Sequence, residues 1–359
     1  MNLEVLDTNF NRIAIADSYE SMIWTDRYNQ CGDFEIYLGM EKSLLDIYKP
    51  DYYLVSDDSE YVMIIENTKI TTSTEEGNHF IVTGRSLESI LTKRIVWNQT
   101  NIYGNLQNGV KKLLNENVIS PSIAERRIPN FVFEESTDPI VTAASFDELQ
   151  YTGDTLYDAI CKMCDAFELG FKITLNDNNE FVFKLYAGKD RSYKQDSLPY
   201  VVFSPTFENI INSDYYEAKE NYCNITLVAG EDEGASRKTA VVGDTTATGL
   251  NRRELFTDAR DLSSDVDGGT LTPTQYQNVL KARGEEKLKE VEIVKEFEGQ
   301  VEPTQMYRYG EHFFMGDITE LENEYGLETR VRVMEYIHSD SSNGIEEYPT
   351  FKVLESNQT

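Results

Sequence analysis

Between Tyr52 and Arg85 apolar and polar positions come in short, regularly broken runs. Tyr53-Leu54-Val55 gives way to Asp57-Asp58-Ser59-Glu60, and Tyr61-Val62-Met63-Ile64-Ile65 then runs on to Ile70-Thr71-Thr72. Glu75-Glu76-Gly77-Asn78 turns the chain and Phe80-Ile81-Val82-Thr83 returns it. This pattern predicts antiparallel strands joined by tight turns: branched and ring side chains pack well on a pleated surface, and small polar residues accept turn dihedrals. The rhythm returns near the other end. Ile318-Thr319-Glu320-Leu321 meets a turn at Asn323-Glu324-Tyr325-Gly326, after which Leu327, Thr329, Val331, Val333 and Ile337 alternate with Glu328, Arg330, Arg332 and Met334. Asp340 to Gly344 turns again, into Tyr348-Pro349-Thr350-Phe351. Two such units, far apart in one chain, predict two related antiparallel β-barrels side by side. The competing reading is that any two β-meanders share this pattern.

Ile13-Ala14-Ile15-Ala16, Ser21-Met22-Ile23-Trp24-Thr25 and Phe34-Glu35-Ile36-Tyr37-Leu38 read as further strands. Ser86 to Lys93 reads as a short helix capped by Ser86, with Leu87, Ile90 and Leu91 facing in. From Ile95 the texture changes. Asn105 is placed to cap a helix carrying Leu106, Val110, Leu113 and Leu114 on one face. Asp154 or Thr155 opens a second, with Leu156, Ile160, Met163, Cys164 and Phe167 as its stripe and Gly170 just past its end. Residues 171–175 and 181–185 form a hairpin around Asn176-Asp177-Asn178-Asn179. Strands resume at Tyr200-Val201-Val202-Phe203, Ile210-Ile211-Asn212-Ser213 and residues 224–229, before a Gly-, Thr- and Asp-rich tract from Gly230 to Gly269. Thr272-Pro273-Thr274-Gln275 then supplies a capping box, with Tyr276, Val279, Leu280, Leu288 and Val291 on one helix face. The expected organisation is a first β-barrel over residues 1–95 and an α+β insertion over 96–198. A discontinuous second barrel follows over 199–235 and 293–359, split by a loop-and-helix insertion over 236–292.

Charge narrows the function. The chain has 359 residues, room for two or three domains at roughly 150 each. Its 63 acids against 33 Lys plus Arg leave a net charge of −30. A nucleic-acid groove draws its affinity from displacing counterions off phosphates, so it needs a basic surface. The basic clusters here are Lys111-Lys112, Arg126-Arg127 and Arg252-Arg253, which argues against nucleic-acid binding. The acid excess serves solubility, or forms a surface that nucleic acid slides past without sticking. Four cysteines make no disulfide framework in a chain this long. Met1-Asn2-Leu3-Glu4 opens no secretion signal, and no run approaches the roughly 18–20 apolar residues of a membrane span. Assembly in a reducing cytoplasm is the expectation.

Candidate chemistry is sparse. Cys161-Lys162-Met163-Cys164 falls inside a predicted helix without a second pair, so the two thiols read as core residues rather than redox or zinc ligands. His79, His312 and His338 have no ligand spacing, and without a histidine partner no Ser or Cys nucleophile is assigned. Glu231-Asp232-Glu233-Gly234 and Asp265-Val266-Asp267-Gly268 lack the distal bidentate acid of a calcium loop and read as solvated turns. No cofactor or metal is implied. The densest charge alternation, Arg252, Arg253 and Glu254 followed by Asp258, Arg260 and Asp261 near Phe256, is the candidate subunit-interface ion-pair cluster.

Several segments together resemble the hub proteins of long-tailed phages of Gram-positive bacteria. They are Asp17-Ser18-Tyr19-Glu20-Ser21, Ile23-Trp24-Thr25-Asp26-Arg27-Tyr28, Gly32-Asp33-Phe34-Glu35, Gly84-Arg85-Ser86-Leu87-Glu88-Ser89-Ile90-Leu91 and Arg94-Ile95-Val96-Trp97. The likeness continues in Tyr151-Thr152-Gly153-Asp154, Tyr186-Ala187-Gly188-Lys189-Asp190-Arg191-Ser192-Tyr193 and Val202-Phe203-Ser204-Pro205. It closes with Phe256-Thr257-Asp258-Ala259-Arg260-Asp261, Gly316-Asp317 and Tyr348-Pro349-Thr350-Phe351. The resemblance implies a mainly β tail-tip or baseplate hub (tail-associated protein) with two tube-like barrels and two inserted smaller domains. It further implies a homotrimer that closes the sixfold tail tube, partners among the distal tube and tail-tip proteins, and DNA in transit only. Some relatives carry a peptidoglycan-hydrolase domain or fibre after the hub; here the chain ends at Thr359, so no lytic extension is expected. Acids lining the bore would repel DNA over a Debye length of about 8 Å. Two alternatives compete, a tail-associated peptidoglycan hydrolase and a host cell-wall carbohydrate-binding module. Turnover of sacculi would favour the first, retention on host walls the second.

Overall fold

The computed structural model describes residues 1–75, 77–210, 212–266, 269–300, 306–325 and 328–354. Glu76, Ile211, Asp267, Gly268, Gly326 and Leu327, assigned above to turns and strands, lie outside the described residues. Of the described residues 42% are strand and 21% helix, so the protein is mainly β.

Seven strands precede Leu87: β1 (Leu3–Leu6), β2 (Arg12–Ala16), β3 (Ser21–Arg27), β4 (Asp33–Gly39), β5 (Tyr53–Ser56), β6 (Ser59–Ser73) and β7 (Gly77–Ser86), with α1 (Leu44–Ile47) between β4 and β5. The first insertion carries β8 (Thr100–Asn105), α2 (Leu106–Leu114), β9 (Phe131–Glu134), α3 (Pro139–Ala143), β10 (Ser145–Tyr151), α4 (Leu156–Ala166), β11 (Gly170–Leu175) and β12 (Phe181–Tyr186). After β13 (Val202–Phe203) and β14 (Asn212–Ala218) a second insertion holds β15 (Ile225–Ala229), β16 (Thr239–Gly243), β17 (Glu254–Asp258), β18 (Asp265–Val266), β19 (Gly269–Thr270) and α5 (Pro273–Lys289). The chain closes with β20 (Val294–Gln300), β21 (Ile318–Glu322), β22 (Glu328–Ser341) and β23 (Gly344–Val353).

Among the described residues thirteen strands share one sheet, in the order β14-β20-β23-β22-β3-β4-β7-β6-β5-β1-β2, with β21 also on β22 and β13 on β21. Each half curls around its own core. Met22, Trp24, Phe34, Ile36, Met63, Ile65, Phe80 and Val82 fill the first; Phe203, Phe313, Leu321, Val331, Val333 and Phe351 fill the second. Burying each large side chain contributes about 1.5–3 kcal/mol, so each half holds a core of its own. No closed barrel is found among the described residues, contrary to the two expected. The reason lies in β3: β4 takes one edge and β22 the other, so β2 pairs with β1 alone and the first half does not close on itself.

The expected repeat is visible in the strand order, β3-β4-β7-β6-β5 in the first half and β14-β20-β23-β22-β21 in the second. Both long strands slip register once against the strand that follows them, between Ile65 and Asn67 in β6 and between Val333 and Glu335 in β22. Such a bulge bends and twists its strand. Ahead of it, β5 covers β6 and β21 covers β22; beyond it, β22 takes β3, whereas residues 67–73 pair with β7 alone among the described residues.

Val62 and Ile64 point away from Met63 and Ile65 and join the core of the first insertion. Buried on both faces, residues 61–65 read as a continuous apolar run rather than an alternating one. Asn105 and Thr155 cap α2 and α4 as expected, accepting from the backbone N–H of Asn108 and Asp158. Two local readings change. Ser86 does not cap the short helix of residues 87–93; its hydroxyl accepts from Gly32 N at 2.7 Å. Gly170 opens β11 instead of ending α4, and Glu168 takes the left-handed turn (φ 54°).

In the second insertion the polar tract expected to be loop supplies β16 and β17, which flank β15. Ile225–Ala229, placed in the second barrel by the 199–235 boundary, therefore belongs to this small sheet, both of its edges being taken. Tyr276, Val279 and Leu280 of α5 cover it, and the Thr272–Gln275 capping box starts that helix. Val291 lies beyond the helix end.

Candidate functional site at the joint between the half-sheets

Several of the segments that carry the family likeness meet around the junction of β3 with β22. Arg27, ending β3, donates to Glu335 at 2.5 Å, to Asp33 at 2.6 Å and to the Cys31 carbonyl at 2.9 Å. Tyr28 continues the ladder, its N–H donating to Met334 O at 2.9 Å. Its hydroxyl donates to Glu168 O at 3.0 Å and accepts from Gly188 N at 3.3 Å. The ring lies where a side chain on Gly170 or Gly316 would be: an added Cβ would approach it to 2.4 Å and 2.1 Å. Gly316 also has φ +85°, which side chains rarely adopt. Gly316→Ala is expected to cost about 2 kcal/mol in urea unfolding through strain and overpacking. A loss below about 0.5 kcal/mol would show that Tyr28 yields without cost.

A second knot ties the first insertion to the second half-sheet. Asp317 accepts from Lys189 N at 2.7 Å, Arg191 Nε at 2.6 Å and Phe314 N at 3.1 Å. Arg330 donates to Asp190 at 2.8 Å and Ser192 at 3.1 Å. Arg332 reaches Gly316 O at 3.0 Å and Glu168 at 2.8 Å. Two buried acids complete the joint. Asp26 accepts from Trp24 Nε1 at 2.8 Å and Ser59 Oγ at 3.0 Å, and Glu88 accepts from Ile173 N at 2.6 Å. Burial pushes both carboxyls up to about 7. These groups are buried or ion-paired, so the arrangement fixes geometry between elements.

The expected interface cluster is not one site. Arg252 donates to Glu254 at 2.6 Å where β17 begins. Asp258 is held by Arg260 at 2.6 Å and Arg237 at 2.8 Å where β17 ends, which keeps its carboxyl down at about 2. Asp261 pairs with Arg283 of α5 at 3.0 Å, and the Arg253 guanidinium donates to the Lys219 carbonyl. A strand rises about 3.3 Å per residue, so the first two groups stand more than a side chain's reach apart. Sequence reasoning missed Arg237, Arg283 and the Arg191–Asp317 pair, whose members lie far apart in the chain and have no shared local pattern.

Elsewhere chemistry stays sparse. Among the described residues no group of three or more His, Cys, Asp or Glu is placed to hold a metal ion. Cys164 is buried in the core around α4, and burial raises its thiol and that of Cys161. His338 Nδ1 lies 2.6 Å from Glu347, and His312 Nδ1 accepts from Arg308 N at 3.0 Å. Glu231 pairs with Lys238 and accepts from Ser264 N at 3.0 Å. No helix among the described residues is long and apolar enough to cross a membrane. On the sheet face turned from the two cores, described side chains mix signs. Glu35, Asp214 and Glu346 stand with Lys69 and Lys352, while Arg27 and Arg85 are ion-paired to Asp33, Glu335 and Glu66.

The fold as a whole is shared with solved phage tail proteins. The chain is similar over 98% of its length to a tail protein from Neisseria meningitidis MC58 (14% identity, 96% of that chain, TM-score 0.57). It is similar to the 43 kDa tail protein of prophage MuSo2 from Shewanella oneidensis (10% identity, 98% of each chain, TM-score 0.59). It also resembles prophage tail protein gp18 from Listeria monocytogenes EGD-e (8% identity, 100% of this chain and 96% of that one, TM-score 0.54). No curated protein matches at the level of sequence. The chain belongs to the Siphovirus ReqiPepy6 Gp37-like protein family, whose model matches residues 2–351.

Proposed function

We propose that this tail protein is the tail-tip or baseplate hub, a homotrimer closing the distal end of the tail tube in a siphophage of a Gram-positive host. The observation that carries the reading is the repeat: one five-strand unit occurs twice, and the two copies share a continuous sheet through β3 and β22. Three chains then present six equivalent units to a sixfold tube. The two insertions leave the shared sheet and are the parts free to anchor tip or receptor-binding proteins. Arg252, Arg253, Glu254, Asp258, Arg260 and Asp261 are proposed contacts on that periphery. The four-part division holds in this reading, with β15 moved into the second insertion. In this reading DNA passes through on infection without being held: among the described residues, the sheet face turned from the two half-sheet cores mixes acids with its Lys and Arg, which leaves little to condense phosphates on.

Light scattering on the purified chain over a range of concentrations tests the assembly. The expected result is a mass near three times 41.2 kDa, with threefold particles around a central hole in negative stain. A chain that stays monomeric, or stops at a dimer, overturns the reading.

A further inference from the structure

The internal joint predicts its own external copy. Two ladders of opposed residues relate the halves step by step: Thr25–Asp33–Arg85–Ile64 across β3, β4, β7 and β6, and Tyr216–Glu296–Lys352–Arg332 across β14, β20, β23 and β22. β14 is thus the counterpart of β3, and both strands are 7 residues long. The bulges align as well, Glu66 of β6 with Met334 of β22, and both strands end on the residue that opposes the glycine opening the next strand, Ser73 with Gly77 and Ser341 with Gly344.

One difference remains. The stretch of β22 beyond its bulge carries β3, but the matching residues 67–73 of β6 carry no second strand among the described residues, and β14 is the last strand of the sheet. Ile70 is 50% exposed and Tyr215 43%. An open edge of this length templates pairing with another chain unless something covers it.

We propose that β14 of one copy of this chain pairs antiparallel with residues 67–73 of a second copy, with Lys69 opposite Tyr216 and Thr71 opposite Asp214. That register is the internal one transferred, from Ile337 opposite Thr25 and Ser339 opposite Ile23. It sets Lys69 beside Asp214 on one face and Ile70 against Tyr215 on the other, so charge and apolar surface are both matched. A one-residue slip would reverse the faces and break both. The contact is head-to-tail, so it closes only as a ring. The pairing deepens the hub reading and rests on it for the number of copies.

Disulfide trapping tests it. The Tyr28–Met334 hydrogen bond sets the ladder's phase, making Thr25–Ile337 and Ile23–Ser339 non-hydrogen-bonded pairs with Cα atoms about 4.5 Å apart, within disulfide reach. Thr71→Cys with Asp214→Cys is oxidised alongside Ile23→Cys with Ser339→Cys, which must close within one chain, and Thr72→Cys with Asp214→Cys, which is out of register. Wild type supplies the background from its four native thiols. The expected result is a reducible gel ladder from the in-register pair that stops at three chains, absent from the out-of-register pair. Trimers by mass whose in-register pair links no better than the slipped one overturn the pairing and leave the hub. A ladder running past three chains supports the pairing and overturns the trimeric ring. A chain that is monomeric throughout overturns both.

Discussion

Asp317→Ala is expected to lower the unfolding free energy by about 3–5 kcal/mol, the usual cost of removing one partner from a buried ion pair. Asp317 is 2% exposed and Arg191 8%, so the stranded guanidinium cannot recover its hydration. The carboxylate also accepts from the backbone N–H groups of Lys189 and Phe314, and the substitution leaves those two donors unmet as well. Arg191→Met should cost less, because the carboxylate it leaves behind keeps both backbone donors and the new side chain still covers the Phe314 ring, which lies 5.7 Å from the guanidinium. Urea denaturation of the two variants measures the difference. Equal losses would mean that the pair acts through charge alone; a loss below about 1 kcal/mol for Asp317→Ala would place it among surface pairs. The consequence reaches assembly, since this pair locks the first insertion to β21 and the second half-sheet. A half-sheet free to tilt would misplace β14, the edge proposed to meet the next copy.

The parts of this architecture written in local patterns were legible, and the parts decided by competition between distant segments were not. Alternation through Val331 and Val333, and the turns at Gly77 and Gly344, announced both β-meanders, because a strand with one buried face must alternate with period two. Nothing local marks the bulges: Glu66 and Met334 share no residue type. Closure failed as an expectation because it depends on which strand wins the outer edge of β3, and β22, more than 300 residues later, wins it. Thr239-Ala240-Val241-Val242-Gly243 and Leu255-Phe256-Thr257 were strand-forming runs masked by the Gly, Thr and Asp around them. The joint was recognisable only as words shared with a family. Its physical content, Tyr28 against glycines 170 and 316 and Arg191 on Asp317, appears once the chain is folded.

Stability should fall as pH rises from about 4 to about 7, and two residues of the joint should carry much of the slope. Asp26 and Glu88 are held protonated by burial up to about 7, whereas in the unfolded chain they return to ordinary values near 4. Between those limits the unfolded chain releases protons that the folded one retains, so each pH unit costs about 1.4 kcal/mol per group. Above about 7 both states are ionised and the loss levels off. Carboxylates held low, Asp258, Asp190 and Glu231 among them, act in the opposite sense and at lower pH: their stabilisation disappears as pH falls through their folded values. Repulsion among the 63 acids also grows with pH, so the wild-type profile alone is ambiguous. Asp26→Asn keeps an oxygen for Trp24 Nε1, and Glu88→Gln keeps one for Ile173 N, while each removes a single titration and leaves the general repulsion nearly intact. Compared by urea unfolding at pH 5 and pH 8, wild type is expected to lose about 2–3 kcal/mol more than either variant. Parallel profiles would mean that both acids are already ionised in the folded chain.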